Sequence, residues 1–281
     1  MELSDLFNFT DYDRLLPLVT NSLLAGALLA LIGGLVGVFV MTRELSFAVH
    51  GIAELSFAGA AIFLLIGLDV VFGSVFGSLI AALIIAVMGD RAKDRNSIVA
   101  VLMPFGLGLG ILALALYPGR AANKFGLLTG QIVAVDDPKL GAMALISLVV
   151  LVGMFAIWRP LNFASLDVEV ARARGVNVKA LGVFFVMLLG LAVAAAVQIV
   201  GALLVLALLV TPAAAALRLS RSQLWVPVLS VAFAMVSMLG GILLALGAGL
   251  PISPYVTTIA FLIYLAARAI EFARGRVGAI R

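Results

Sequence analysis

The sequence contains no cysteine and only one histidine, His50, among its 281 residues. Without cysteine, the chain forms no disulfide, no thiolate metal site and no cysteine nucleophile. A zinc-dependent intramembrane hydrolase would need at least two histidines in one motif, so this class lacks its residues as well. The sequence also has no P-loop and no Gly-rich phosphate-binding turn after a strand. We therefore expect no catalytic site in this chain.

Charge is scarce: charged residues make up 11% of the chain, hydrophobic residues make up 64%, and the mean hydropathy is +1.27. A soluble domain usually carries about 25% charged residues. Because so few charges cannot cover a globule with polar surface, the lipid bilayer is the expected solvent. We predict an all-α polytopic membrane protein with a single transmembrane domain over residues 1–281. The net charge of +4 then belongs to cytoplasmic loops and does not indicate nucleic-acid binding.

Nine stretches of the chain approach the roughly 20 apolar residues of a membrane span. They cover residues 17–41, 51–68, 70–89, 97–116, 140–158, 180–198, 200–217, 225–248 and 252–270. Several are short or interrupted by glycine, so eight spans with a re-entrant piece are the alternative. The stretch 126–135 is too short to cross, and we expect an interfacial or re-entrant helix there.

Lysine and arginine predict the orientation, because they concentrate in cytoplasmic loops. With the N-terminus outside, 14 of the 18 fall in inside loops, and Arg14, Arg120, Lys124 and Lys139 lie outside. The C-terminus is then cytoplasmic.

One expected inside loop, residues 159–179, is long, and its pattern predicts a short amphipathic helix over about 164–175. The helix signals are Ser165 as N-cap, Asp167 and Glu169 in the first turn, Arg172 and Arg174 near the end, and Gly175 as the stop.

Charged groups inside spans are costly and are functional candidates by default. His50 and Glu54 are four residues apart, so on a helix they share one face. An imidazole and a carboxylate form half a site for zinc, manganese or iron, and a symmetric dimer would supply four donors. The alternative is structural: a hydrogen bond between helices, or a glutamate that reaches towards water.

Glycines in the spans have a simpler interpretation, since small residues let helices approach closely. Gly33, Gly34 and Gly37 form one such face, and Gly73 and Gly77 form another. The run from Gly106 to Gly110 lies within a span, so we reject a nucleotide-binding role for it.

Three segments, in order, resemble signatures of the membrane permease subunits of manganese/zinc/iron ABC importers. The first is "TRELSFAVHGIAELSFAGAA" from residue 42, similar to the family's R-x-M-S-F-x-G-D-A-L-S-H-A-x-L-P-G. The second is "VEVARARGVNVKALGVFF" from residue 168, similar to F-A-R-A-x-G. The third is "VQIVGALLVLALLVTPAAAALRL" from residue 197, similar to Q-x-V-G-x-L-L-V-x-A-L-L-x-x-P-A-A-x-A.

The resemblance implies a homodimeric permease in the prokaryotic cytoplasmic membrane, surrounded by lipid. It also implies two cytoplasmic ABC ATPases that hydrolyse ATP, and an extracytoplasmic metal-binding protein that delivers the cargo. The second segment would hold the coupling helix that docks on the ATPase, with Glu169, Ala171, Arg172, Arg174 and Gly175 as its contact residues.

The metal-liganding pair of the family corresponds to His50 and Glu54, but with its order exchanged. The family has Asp–x3–His, whereas this chain has His–x3–Glu, so one imidazole and one carboxylate remain. Val49 and Ala58 replace a family glycine and proline. These departures suggest a divergent branch, and zinc, manganese and iron all stay open as substrates.

The third segment contributes expected pathway residues. Pro212 frees a backbone carbonyl and is expected to bend its helix. Gln198 to Gly201 are expected to form a turn that lines an outer gate, or else to make an ordinary hydrogen bond between helices.

Two further functions compete with metal import. An ABC permease for a siderophore or other metal chelate would need a wider, more aromatic pathway, yet the chain has only two Trp and four Tyr. A stand-alone ion-coupled transporter would need acidic residues in several spans, and Glu54 is nearly alone.

Overall fold

The computed structural model describes residues 16–89, 92–119, 135–248 and 252–278. Within these ranges the chain forms helices and connecting turns and no β-strand, as the composition predicted. Residues 126–134 of the predicted re-entrant segment lie outside the described residues.

The helices follow one another through short connections. A 3-10 turn, Leu16–Val19, leads into α1 (Thr20–Thr42). The remaining helices are α2 (Ser46–Leu65), α3 (Val70–Met88), α4 (Ala92–Leu116), α5 (Asp137–Leu166), α6 (Val168–Ala173), α7 (Val178–Val200), α8 (Val205–Leu209), α9 (Thr211–Leu219), α10 (Trp225–Ala248) and α11 (Ile252–Gly278). In the described part of the chain, eight helices are long and apolar enough to cross a membrane: all except α6, α8 and α9.

Helix α2 begins five residues earlier than the predicted span 51–68. It starts at Ser46, after a turn in which Glu44 adopts a positive φ of 55°. Leu45, Ala48 and Val49 are buried, so the apolar surface continues through the residues that the sequence assigned to a loop. His50 therefore lies one turn inside the helix.

The predicted seventh passage, 200–217, is broken. Helix α7 ends at Gly201, whose φ of 80° favours glycine, and a 3-10 turn at Ala202–Leu204 follows. The apolar residues from Val205 to Leu219 then form a short helical stretch, interrupted before Pro212. In its described part, the chain therefore has the eight spans of the alternative, and the seventh predicted passage is a shorter apolar stretch, Val205–Leu219.

Two compact units share the described residues. The first takes those within 1–41, 132–140 and 206–281, and the second takes those within 42–131 and 141–205. In the first unit, α9, α10 and α11 pack against one another. A Cβ added at Gly37 would overlap the carbonyl oxygen of Leu209, and one at Gly34 would lie 2.6 Å from Cα of Val231. The predicted close-packing face of α1 is confirmed.

In the second unit, α2 is the central helix. It packs against α3, α4, α7 and the 3-10 turn that follows α7. A Cβ at Gly59 would overlap the carbonyl oxygen of Gly73 and lie 3.1 Å from Cα of Gly77. The backbones of α2 and α3 are therefore nearly in contact, which confirms the second predicted glycine face.

This packing predicts opposite effects for two glycine-to-alanine changes. Gly59→Ala should destabilise the protein by about 1–3 kcal/mol, because a backbone carbonyl occupies the space of the new methyl group. Gly108→Ala has nothing within 4 Å of its new Cβ, and it should be neutral or stabilising by up to about 1 kcal/mol from helix propensity. Apparent Tm values in detergent check both, and equal Tm values would contradict the close crossing.

Candidate functional site

His50 and Glu54 lie one turn apart on α2 and face the same volume, as their spacing predicted. Nε2 of His50 is 3.8 Å from Oε1 of Glu54. The Glu54 side chain is only 3% exposed, whereas that of His50 is 26% exposed. The pair thus joins an accessible imidazole to a carboxylate held inside the protein.

Two atoms of this pair are buried without a hydrogen-bond partner: Nδ1 of His50 and Oε2 of Glu54. An unpartnered buried polar atom costs about 1–3 kcal/mol, and more when it is charged. A carboxylate that reached for water would be exposed, and a hydrogen bond to another helix would give its buried oxygen a partner. Neither structural alternative accounts for Oε2 of Glu54.

The turn that carries Glu54 is held closely by its neighbours. A Cβ at Gly106 of α4 would lie 3.0 Å from the backbone carbon of Glu54 and 2.7 Å from Cδ1 of Leu55. A Cβ at Gly77 of α3 would overlap the carbonyl oxygen of Leu55. The sequence correctly assigned Gly77 to packing, but for Gly106 it only rejected a nucleotide-binding role. It connected neither glycine with Glu54, because that requires the helices to be placed in space.

Sequence reasoning missed a serine chain close to the site. The Oγ atoms of Ser56 and Ser74 lie 2.7 Å apart, and Ser74 donates to the carbonyl oxygen of Ala194 at 3.3 Å. These bonds tie α2 to α3 and α7 two residues beyond Glu54. In the sequence, Ser56 and Ser74 each stand within an apolar stretch. Serines in apolar helices are too common for this pattern to predict a hydrogen bond between them.

The pair does not complete a metal site by itself. Among the residues that the structure describes, no three His, Cys, Asp or Glu side chains are grouped so that they would hold a metal ion. Protein-bound zinc usually has at least three protein ligands. The geometry is therefore that of half a coordination sphere, with one nitrogen and one oxygen donor.

The predicted pathway residues fall in different places. Gln198 is 6% exposed and donates through Nε2 to the carbonyl oxygen of Val70 at 3.3 Å, so it makes the ordinary hydrogen bond that was one of its two interpretations. Gly201 forms the turn after α7. Pro212 lies in the first turn of α9, where its missing N–H costs least. It therefore begins a helix, whereas the sequence had suggested that it bends one from within.

A short helix is present where one was predicted over about 164–175, but it is shorter than expected: α6 covers only Val168–Ala173. The preceding helix α5 runs on to Leu166, and Ser165 donates to the carbonyl oxygen of Leu161 within it. Ser165 is therefore not the N-cap. Asp167 caps α6 instead, accepting from the backbone N–H of Val170 at 3.0 Å. Aspartate caps well because its charge also complements the positive end of the helix.

The predicted stop at Gly175 is confirmed. Its φ is 81°, its N–H donates to the carbonyl oxygen of Arg172, and the N–H of Val176 donates to that of Ala171. This pair of bonds is the Schellman arrangement. Ala171 is buried, and Arg172 pairs with Glu169 at 3.1 Å on the exposed side. Arg174 is the C-terminal cap.

The unpartnered carboxylate leads to a stability prediction. Glu54→Gln should raise the apparent Tm of the metal-free protein, because a neutral amide of the same shape costs less to bury than a carboxylate. The exposed Glu169→Gln serves as the matched control and should leave the Tm nearly unchanged. A clear fall in Tm for Glu54→Gln in differential scanning fluorimetry would mean that Glu54 makes a structural ion pair.

Comparison with known proteins places this arrangement in a family. The manganese transport system membrane protein MntC of Halalkalibacterium halodurans is 27% identical over 82% of this chain and 80% of its own length. The high-affinity zinc uptake system membrane protein ZnuB of Haemophilus influenzae is 24% identical over 80% and 86%. PsaBC from Streptococcus pneumoniae, solved in complex with Fab, superposes with a TM-score of 0.82 at 25% identity, covering 92% of this chain and 94% of that chain.

The sequence pattern of one family extends over nearly all of the described helices. The ABC 3 transport family matches residues 16–271, a range that contains the His50–Glu54 turn, α6 and the broken passage after α7. The chain belongs to the ABC 3 transport family, as its three signature-like segments indicated.

Proposed function

We propose that this chain is the membrane permease of an ATP-driven importer of divalent transition metal ions, and that His50 and Glu54 are its metal ligands. The observation that carries the proposal is the pair itself: a carboxylate only 3% exposed, 3.8 Å from an imidazole, with one oxygen and one nitrogen left without partners. A bound cation would satisfy both groups at once.

The donor types limit the cargo to a class of ion. Carboxylate oxygen suits manganese, iron and zinc, and a neutral imidazole nitrogen suits the same borderline metals. Relatives named for manganese and for zinc transport support this class. The exchange of imidazole and carboxylate between the two positions keeps the donor set that the family resemblance implies, so the proposed substrates are manganese, zinc or iron.

A second copy of the chain completes the proposed site. Each protomer offers one nitrogen and one oxygen donor, so a symmetric pair with α2 facing the axis would offer four. The half-filled coordination sphere within one chain supports this arrangement. The ion would then be held on the dimer axis and released when the two copies of α2 separate.

Helix α6 is the proposed contact with a cytoplasmic ABC ATPase. It is short, capped at both ends and exposed at Arg172 and Arg174.

In the proposed cycle, an extracytoplasmic binding protein delivers the metal to the outer side. ATP binding moves the α6 helices of the two protomers, and the spans tilt to open the inner side. Gln198 and Gly201 are proposed to border the outer gate, and Pro212 to allow bending. The N-terminus lies outside and the C-terminus in the cytoplasm.

The ligand assignment predicts loss of transport. His50→Ala and Glu54→Ala should each weaken metal binding at least tenfold, since even residues that only support ligands cost 10–100-fold when they are changed. Uptake of radiolabelled manganese, zinc and iron is measured in proteoliposomes that contain the complete complex. Asp94→Ala removes an exposed carboxylate from α4 and is the matched control. Normal uptake by both α2 variants would refute the assignment.

If α6 contacts the ATPase, reversing a charge on its exposed side should weaken binding of the ATPase to the permease. Arg174→Glu should reduce copurification of the ATPase with the permease, or separate ATP hydrolysis from uptake, because the reversed charge faces the proposed docking surface. Arg221→Glu reverses an exposed arginine in another loop and should preserve the complex. An intact, fully coupled complex with Arg174→Glu would remove α6 from the proposal.

A further inference from the structure

A cavity of about 510 Å³ lies within the second unit, where five of its helices begin or end. It is lined by Arg43 and Leu45 before α2, by Ile85, Ala86 and Gly89 at the end of α3, by Arg95 near the start of α4, by Arg172 of α6, and by Val178, Lys179, Gly182, Val183 and Val186 of α7. Because these residues border helices that are long and apolar enough to cross a membrane, the cavity would lie near the level of the lipid headgroups.

The polar side of the cavity is basic. Arg43, Arg95, Arg172 and Lys179 line it, and no lining residue in the described part of the chain is acidic. Among the described residues, Glu169 pairs with Arg172 on the exposed side of α6, and Glu44 is close enough to attract Arg95. Neither carboxylate lines the cavity, so its interior carries an excess of positive charge.

The two inner arginines have poor partners. Nη2 of Arg95 donates to the carbonyl oxygens of Arg43 and Glu44 at 3.4 and 3.3 Å, and its Nε is buried without a partner. Nη1 of Arg43 reaches Oγ of Ser165 at 3.4 Å. Burial, and then the charge of Arg95, lower the pKa of Arg43. In the part of the chain that the structure describes, no carboxylate bridges these two neighbouring guanidinium groups.

The rest of the cavity wall is apolar: Leu45 and Ile85 are buried there, and Val178, Val183 and Val186 continue the surface along α7. Arginine forks match phosphate oxygens in a bidentate manner. Basic pockets between spans near the cytoplasmic surface bind anionic lipid headgroups. We propose that this cavity binds the phosphate headgroup of an anionic phospholipid, with its glycerol and the start of an acyl chain against the apolar wall.

An acidic side chain of a partner protein is the other occupant that the charges would accept. The lipid is favoured because a protein carboxylate would leave the apolar half of the cavity unfilled. The volume, about 510 Å³, also falls within the range of roughly 300–1,000 Å³ that is usual for ligand pockets. This inference does not depend on the identity of the transported ion.

Native mass spectrometry of the full-length protein in detergent tests the proposal, with dioleoylphosphatidylglycerol and dioleoylphosphatidylcholine as probes. The wild-type protein should bind phosphatidylglycerol the more tightly of the two. The double change Arg43→Gln and Arg95→Gln should weaken phosphatidylglycerol binding roughly thirtyfold, at about 1 kcal/mol for each basic group. Arg159→Gln removes one exposed arginine elsewhere in the unit and should have little effect.

A second variant reduces the volume of the cavity and leaves its positive charges unchanged. A Cβ at Gly182 would lie 3.7 Å from Nη2 of Arg43, so Gly182→Leu projects a side chain into the cavity and keeps every arginine. It should also weaken phosphatidylglycerol binding, even if the double variant folds poorly. Phosphatidylglycerol affinity equal to that of Arg159→Gln in the folded variants would overturn the proposal. The same result together with loss of a copurifying ATPase would assign the cavity to a protein carboxylate.

Discussion

The carboxylate of Glu54 is buried in the middle of an apolar helix bundle, and the surrounding structure prevents it from escaping to water. Glycines at 77 and 106 bring α3 and α4 against the backbone on either side of this turn, so α2 has no room to rotate. A long side chain near a helix end can bend towards water, but Glu54 is the ninth residue of α2 and is 3% exposed. The neighbouring helices therefore determine where this carboxylate lies and keep it buried, which makes its charge energetically costly.

The same close packing explains why so few polar residues are needed. With backbones in contact, three hydroxyl and carbonyl groups at Ser56, Ser74 and Ala194 connect α2, α3 and α7. Lipid provides no hydrophobic force to hold helices together, so contact area between small residues and a few hydrogen bonds must do so. The helix that carries His50 and Glu54 is thus held by its smallest residues rather than by its largest.

Much of this arrangement was predictable from sequence because membrane helices follow simple rules. Apolar length located the spans, and the four-residue spacing placed His50 and Glu54 on one face. The start of α2 was missed because Leu45 to Val49 resemble a loop until α4 is placed beside them. The N-cap of α6 was misassigned because Ser165 and Asp167 are both good caps. Only the length of α5 decides between them, and α5 passes through Pro160 without ending.

The joint between α5 and α6 has a mechanical consequence. A single residue, Asp167, separates the last residue of a 30-residue helix from the first residue of α6, and its side chain is already engaged in the cap. At 1.5 Å per residue, α5 is roughly 45 Å long, more than the thickness of the hydrocarbon core. No flexible loop separates α6 from α5 that could absorb a displacement of α6. Any such displacement would act directly on the adjoining end of α5.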